Sequence, residues 1–440
     1  MLTVDRKTWL LKFELIQASE EGRRVEEIRE KIDSLSSLKI GHSELDKLYE
    51  EILSLPFVAG WPYFEPDDLE AIKRNTDTPK DEETWITRHE LLDRMRGAWF
   101  GRVVGNMLGK PVEGWSKSLI EEYLKKAGCY PIDYYIPELI PRAEKSLQTY
   151  YVTGGLRGTL TKALRDDDLD YTILGLLLME RKGFNFTTDD VAEELLNRLP
   201  FNLTYTAERE AYRNLTLGLK PPETATFWNP FREWIGAQIR ADPWGYANPK
   251  RPWSAAEMAY RDARLSHVKN GIYGEMLMAA MVASAFGESD PLEVVKKGLS
   301  CIPRGSRLAE AVRHCVDLWR KHGDFDAAYE EAMLKYGHYH PVHTINNAVI
   351  VVLSLLYGER DFGKSVCLSV SSGLDTDCNG ASVGSIVGAM VGFKGIPEKW
   401  YAPLNNTLET ALSGLKEFKI SELADRMVEI VAKNLTGHCR

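Results

Sequence analysis

The 440-residue sequence has no Cys-x-x-Cys pair and no surplus of positive charge, and no apolar run in it approaches the roughly 20 residues that span a bilayer. Each absence excludes a class. The six cysteines, Cys129, Cys301, Cys315, Cys367, Cys378 and Cys439, are spread without framework spacing, which suits a reducing cytoplasm rather than a disulfide-stapled secreted fold. The N-terminus, MLTVDRKTWLLKFELIQASEEGRR, lacks the apolar stretch and small-residue cleavage site of a signal peptide. Apolar runs such as Ala348–Tyr357 are too short for a membrane helix, so a cytoplasmic protein with no membrane partner is expected. With 55 Lys+Arg against 64 Asp+Glu the formal net charge is -9, which argues against nucleic acid as a general partner, because phosphate binding needs surplus cations.

What is present is a chain 44% hydrophobic, ample for a sizeable core. Residues 1–55 place Val25, Ile28, Ile32 and Leu35, then Leu45, Leu48, Ile52 and Leu53, at helical intervals between charges, predicting a helical hairpin that docks on a larger body or a partner. A turn-rich connector runs from Pro56 to Pro79. From Glu90 onward the periodicity is helical almost throughout, including one segment over Ala255–Phe286, and β-branched alternation is scarce. The fold class expected is all-α, a compact multi-helix body with an N-terminal helical extension. The stretch from Pro200 to Pro252 leads into Trp253, and six tryptophans and phenylalanines fall between Phe227 and Trp253; it reads as a set of binding loops. Core packing is the ordinary role for such aromatics, and Trp244 or Tyr246 against a purine is the functional one.

Three segments carry candidate chemistry. Gly97, Gly101, Gly105 and Gly109 recur every four residues, each costing about 1 kcal/mol in a helix relative to alanine. The compensating gain is close approach of another backbone, and Pro111 then ends the helix and delivers Glu113 into a loop. Asp166, Asp167 and Asp168 open the second segment. One aspartate suffices to cap a helix, whereas three adjacent ones repel and are relieved by a hard divalent cation or by solvent. The third segment, Ser372-Gly373-Leu374-Asp375-Thr376-Asp377-Cys378-Asn379-Gly380, enters a helix bearing Gly380, Gly384, Gly388 and Gly392. Two glycine-lined helices can cross closely and bring five aspartates and Thr376 together as a cage for two divalent ions, Mg²⁺ by the hardness of the donors.

These three segments, in this order and separation, resemble the ADP-ribosylglycohydrolase family, all-α enzymes that hydrolyse the bond at the anomeric carbon of an ADP-ribosyl group at a binuclear Mg²⁺ centre. The resemblance runs from about Glu90 to beyond Gly392, so the chain divides into an N-terminal extension with connector, 1–85, and a catalytic domain, 86–440. It implies two Mg²⁺, with Mn²⁺ as a substitute, held by Asp166, Asp167, Asp168, Asp375, Asp377 and Cys378. The family's threonine stands here as Asp166, and its last hydroxyl as the thiol of Cys378, a soft donor for Mg²⁺. It implies Glu113 as the catalytic acid or base, and Asn106 stands where an aspartate is usual. Ile235-Gly236-Ala-Gln-Ile-Arg240 is similar to the loop near the ligand's ribose and phosphates, and Ser266-His267-Val-Lys-Asn270-Gly271 to a segment lining the cleft. This makes Gly236, Arg240, His267, Asn270 and Gly271 candidate substrate contacts.

The implied partner is an ADP-ribosylated side chain or a small ADP-ribose conjugate. A nucleoside or other small ribosyl compound is the alternative substrate, a non-catalytic ligand-binding protein the alternative class, and the oligomeric state is left open. His338, His340 and His343 have a spacing that suits zinc, but no Asp, Glu or Cys lies among them to complete a usual set. Of the three, His343 is the one placed to line the cleft.

Overall fold

Two glycine stripes meet at the centre of the molecule. In this computed structural model, which describes residues 2–37, 41–79, 81, 86–138 and 155–437, the stripes lie in the helices Arg88–Gly109 and Thr376–Val391. Cys439 lies outside the described residues. The two helices run antiparallel and in register. A Cβ added at Gly97, Gly101 or Gly105 would fall 2.2, 2.1 or 1.9 Å from the carbonyl oxygen of Gly388, Gly384 or Gly380. Only hydrogen side chains allow backbones this close. The crossing ends where Gly109 meets Thr376, with the Thr376 hydroxyl donating to Gly109 O at 2.8 Å.

With this pair included, the described residues form 21 α-helices and one short hairpin, Thr407–Glu409 with Glu417–Lys419, in which Leu408 pairs with Phe418. The fold is all-α, as the periodicity predicts. Among the described residues no helix is long and apolar enough to cross a membrane.

Three sequence expectations differ from what folds. Residues 1–55 form three helices, Val4–Glu20, Glu26–Asp33 and His42–Leu53, rather than a hairpin, because Gly22 at φ +85° turns the chain after the first. Their apolar faces close on Trp228, Phe231 and Trp234 of the body. The segment expected as one helix over 255–286 is two, Pro252–Ala263 and Lys269–Ala285. In the break, Val268 N–H donates to Arg232 O at 3.0 Å and Ala237 N–H to the His267 ring at 3.2 Å, so tertiary bonds replace helical ones. Of the stretch read as binding loops, the part from Trp228 to Tyr246 is a buried layer, with Trp228, Phe231, Trp234, Trp244 and Tyr246 all in the core, whereas Phe201, Tyr205 and Phe227 are exposed.

Buried ion pairs tie the extension to the body. Arg232 meets Glu14 at 2.7 and 2.9 Å, and Arg307 bridges Glu65 at 2.8 Å and Glu233 at 2.7 Å.

Candidate metal centre

The helix crossing sets the site. Beyond Gly109 the chain makes one tight turn, Lys110–Val112, and Glu113 leaves it. Gly114 N–H then donates to Leu374 O at 2.8 Å, and Leu374 N–H to Trp115 O at 3.1 Å. These two bonds lay the Glu113 loop against the Asp375–Asp377 turn. The turn needs φ +77° at Gly373 and φ +63° at Leu374, and a Cβ on Gly373 would lie 2.5 Å from Trp115 O, so glycine is required there.

The second acidic segment enters from the helix Asp167–Lys182, whose N-cap is Asp166, accepting from Asp168 N–H at 3.1 Å. The structure brings oxygens of Glu113, Asp375 and Asp377 within 4.8 Å of one another, and likewise ligand atoms of Asp168, Asp377 and Cys378. Asp377 is common to both groups. Asp166 lies in the same cluster through Lys110, its ion-pair partner, while Asp167 stands half-buried beside it.

Charge in this cluster is poorly compensated. The charge of Asp377, and then desolvation among the neighbouring groups, push the Glu113 carboxyl up to about 9, although the residue reaches solvent. Burial and Asp166 push Asp167 up to about 8 and Asp377 up to about 6. Burial also raises Asp168 and Asp375 well above the usual range. Burial lowers the Lys110 ammonium, but Asp166 and Asp377 more than offset this. Asp375 and Asp377 each retain a buried oxygen with no partner. Hard, crowded, unsatisfied carboxylate oxygens fit a divalent cation, whose own charge would reverse these shifts.

Neutral donors position the rest. Asn106 donates to one oxygen of Asp168 at 2.9 Å and the Cys378 thiol to the other at 3.2 Å. Burial raises that thiol far above its ordinary value, which keeps it a donor.

Two contributors were not visible as site residues in the sequence. Arg102, fully buried, donates to Asp168 O at 3.1 Å, Thr172 at 2.7 Å and Ile239 O at 2.5 Å, and pairs with Asp242 at 2.6 Å. Asn347 accepts from Asp375 N–H at 3.3 Å and from Asn379 at 2.8 Å. The available signal was a pair of asparagines inside an apolar helix, since buried amides need partners.

The five candidate substrate contacts lie elsewhere, in a buried layer. Arg240 is held by Glu208 at 3.1 Å and Asp262 at 3.2 Å over the Tyr171 ring. A Cβ on Gly236 would meet the Glu208 carboxylate at 2.4 Å. His267, kept neutral by burial, accepts from Ala237 N–H. Asn270 donates to Glu233 at 2.7 Å and Glu65 at 2.8 Å, and Gly271 packs on Arg232 O. Among the described residues no hydrogen bond joins these five to the acidic cluster; Arg102, bonded to both Ile239 O and Asp168 O, is the link.

Trp244 donates to Glu275 at 2.8 Å and stacks on Phe186, and Tyr246 bonds Ser385 at 2.7 Å, so both are core residues and not a purine platform. His343 caps the helix Thr344–Gly358 by accepting from Ile345 N–H, fully buried, and His340 stacks on Trp234. Neither lines an open cleft.

The family model that matches this chain is ADP-ribosylglycohydrolase, over residues 87–435. Among solved structures, one of an "ADP-ribosylglycohydrolase-related protein complex" superposes with a TM-score of 0.51 at 20% identity, covering 78% of this chain and 99% of that chain. That likeness concerns the fold. No curated protein matches the sequence.

Proposed function

We propose, from the premise that this chain belongs to the ADP-ribosylglycohydrolase family of metal-dependent, glycosidase-type hydrolases, that it cleaves the anomeric C1 bond of an ADP-ribosyl group with two Mg²⁺, or Mn²⁺ in their place. The observation that carries this reading is Asp377 shared between two acidic groups, beside the unpartnered oxygens of Asp375 and Asp377. Asp166, Asp167, Asp168, Asp375 and Asp377 would hold the ions. Bound, the ions supply positive charge that polarises ligand oxygens and offsets the carboxylates.

The chain's own residues do the rest. Glu113 is the exposed carboxylate of the group, so its oxygens reach a ligand from the solvent side, where they take a proton from water or give one to the leaving group as C1 gains oxocarbenium character. Asn106 and Cys378 hold the two oxygens of Asp168, and Lys110 holds Asp166, which keeps these carboxylates from swinging away. Cys378 thus acts as a hydrogen-bond donor, its sulfur being a poor Mg²⁺ donor, and Asp166 provides the further oxygen. The unpaired thiols of Cys129, Cys301, Cys315, Cys367 and Cys378 support a reducing, cytoplasmic setting.

Burial of Gly236 and Arg240 favours a second reading, a nucleoside or other small ribosyl substrate with no phosphates to bind. One panel separates the two: ADP-ribosyl-arginine, ADP-ribosyl-serine, O-acetyl-ADP-ribose and nucleosides, each with Mg²⁺ and with chelator. Magnesium-dependent release of ADP-ribose is expected. Release from nucleosides alone would favour the second reading, and no metal-dependent release from any compound would refute both.

A further inference from the structure

The two acidic groups of the site differ in how far their oxygens are already satisfied. Where Glu113, Asp375 and Asp377 meet, Asp375 and Asp377 each keep a buried oxygen without a partner, and Glu113 reaches solvent. Around Asp168 the oxygens already have donors. The two of Asp168 accept from Asn106 at 2.9 Å and from the Cys378 thiol at 3.2 Å. One oxygen of Asp166 accepts from Asp168 N–H at 3.1 Å, and the other holds the Lys110 ammonium.

The helix crossing fixes Lys110 in this place. It follows Gly109, where a Cβ would meet Thr376 O at 2.2 Å, and it opens the turn Lys110–Val112, in which Pro111 restricts the backbone. Its side chain is 13% exposed, and its charge acts on Asp377, Asp167 and Glu113 as well as on Asp166. The neighbouring cations are committed to other carboxylates, Arg165 to Asp170 and Arg102 to Asp242. An ammonium among these carboxylates is a monovalent counter-ion tethered to the chain, and it repels a divalent ion that approaches the same oxygens.

We propose that Lys110 is a resident cation of the metal centre, whose ammonium neutralises Asp166 in the metal-free chain and must release that oxygen before a second divalent ion binds there. This rests on the proposed two-ion reading and its ligands. A first ion then fills the Glu113, Asp375 and Asp377 group, whose unpartnered oxygens need no donor displaced, and a second competes with Lys110. Loading of the centre thereby depends on free Mg²⁺ in two separate steps.

The test is calorimetric Mg²⁺ titration of the full chain, with thermal midpoints read in chelator and in Mg²⁺. The wild type should show two unequal sites, the second weaker by about tenfold or more. Lys110→Gln, which keeps a donor for Asp166 but no charge, should tighten the second site by about tenfold and the first by less. Lys110→Arg, which keeps the charge, should leave the second site weak. In chelator Lys110→Gln should have the lower midpoint, because Asp166 has lost its counter-charge, and Mg²⁺ should restore it towards the wild type. Lys110→Met repeats the titration should the glutamine variant fail to fold. A purely structural role for Lys110 would weaken metal binding in its variants instead. Two equal sites in the wild type, or a second site no tighter without the Lys110 charge, would overturn the proposal while the proposed function stands. A wild-type chain that binds no Mg²⁺ would overturn both.

Discussion

Replacing Gly105 by alanine tests the link between the helix crossing and the metal site. The new methyl would lie 1.9 Å from Gly380 O and 2.4 Å from Gly380 C, both backbone atoms, so no side chain can rotate aside. Ordinary contact begins near 3.4 Å, so the helices must part by about 1.5 Å, the gap between 1.9 and 3.4 Å. Overpacking a core typically costs about 1–3 kcal/mol, and a clash with rigid backbone belongs at the upper end. Helix propensity returns about 1 kcal/mol on replacing glycine. The net expectation is a loss of about 2 kcal/mol of stability. The separation propagates one turn further, to Gly109 and Thr376, and carries Glu113 away from Asp375 and Asp377. Metal–ligand distances tolerate only about 0.2 Å, so Mg²⁺ affinity should fall at least tenfold. The assays are urea unfolding and calorimetric Mg²⁺ titration, with Gly323→Ala as the control. Position 323 has no atom within 4 Å of an added Cβ, and its change should stay within about 0.5 kcal/mol. Wild-type stability and wild-type Mg²⁺ affinity in Gly105→Ala would refute the reasoning.

Glu113→Gln should leave Mg²⁺ binding nearly intact and reduce turnover about 10²–10⁴-fold, the usual contribution of a general acid or base; near wild-type turnover removes Glu113 from the mechanism. Asp377→Ala, which takes an oxygen from both acidic groups, should abolish most of the stabilisation that Mg²⁺ gives the wild type, about 2.7 kcal/mol at a hundredfold excess over Kd. Unfolding curves with Mg²⁺ and with chelator measure this, and two undiminished sites in the variant would count against the ligand assignment. Burial pushes Glu20 up to about 7 against the lowering effect of the His340 N–H. Its folded-state pKa thus exceeds the unfolded value, so the contribution of this group to stability is full below about pH 4.5 and is lost as pH rises to about 7. Glu20→Gln should therefore be more stable than wild type at pH 8 and equal to it at pH 4, by urea unfolding; equal differences at both pH values would contradict the assignment.

The central crossing was legible in the chain because its signal is local. A glycine every fourth residue marks one face of one helix, and two such faces next to acidic runs already imply that the Asp166–Asp168 run and the Asp375–Asp377 pair converge; that Glu113 joins Asp375 and Asp377 is seen only in the fold. The N-terminal helices were legible as amphipathic but not in number, since Gly22 breaks the hairpin by a backbone angle that only the fold demands. The helix break after Ala263 was hidden for a related reason: its residues are helix-compatible, and their partners, Arg232 O and Ala237 N–H, lie some 30 residues away in sequence.

By itself, then, the sequence determined the all-α class, the glycine-lined crossing and the acidic cluster at its end, because period and spacing along one chain encode them. Only the tertiary structure decided how each charge is spent. Arg232 finds Glu14 across 218 residues and Arg307 finds Glu65 across 242, pairings that no local pattern encodes. Arg240 is likewise held by Glu208 and Asp262, 32 and 22 residues away, within the buried layer. Hydrogen-bond and charge satisfaction in a packed interior is settled by whichever groups the fold brings within reach, and that is a property of three dimensions.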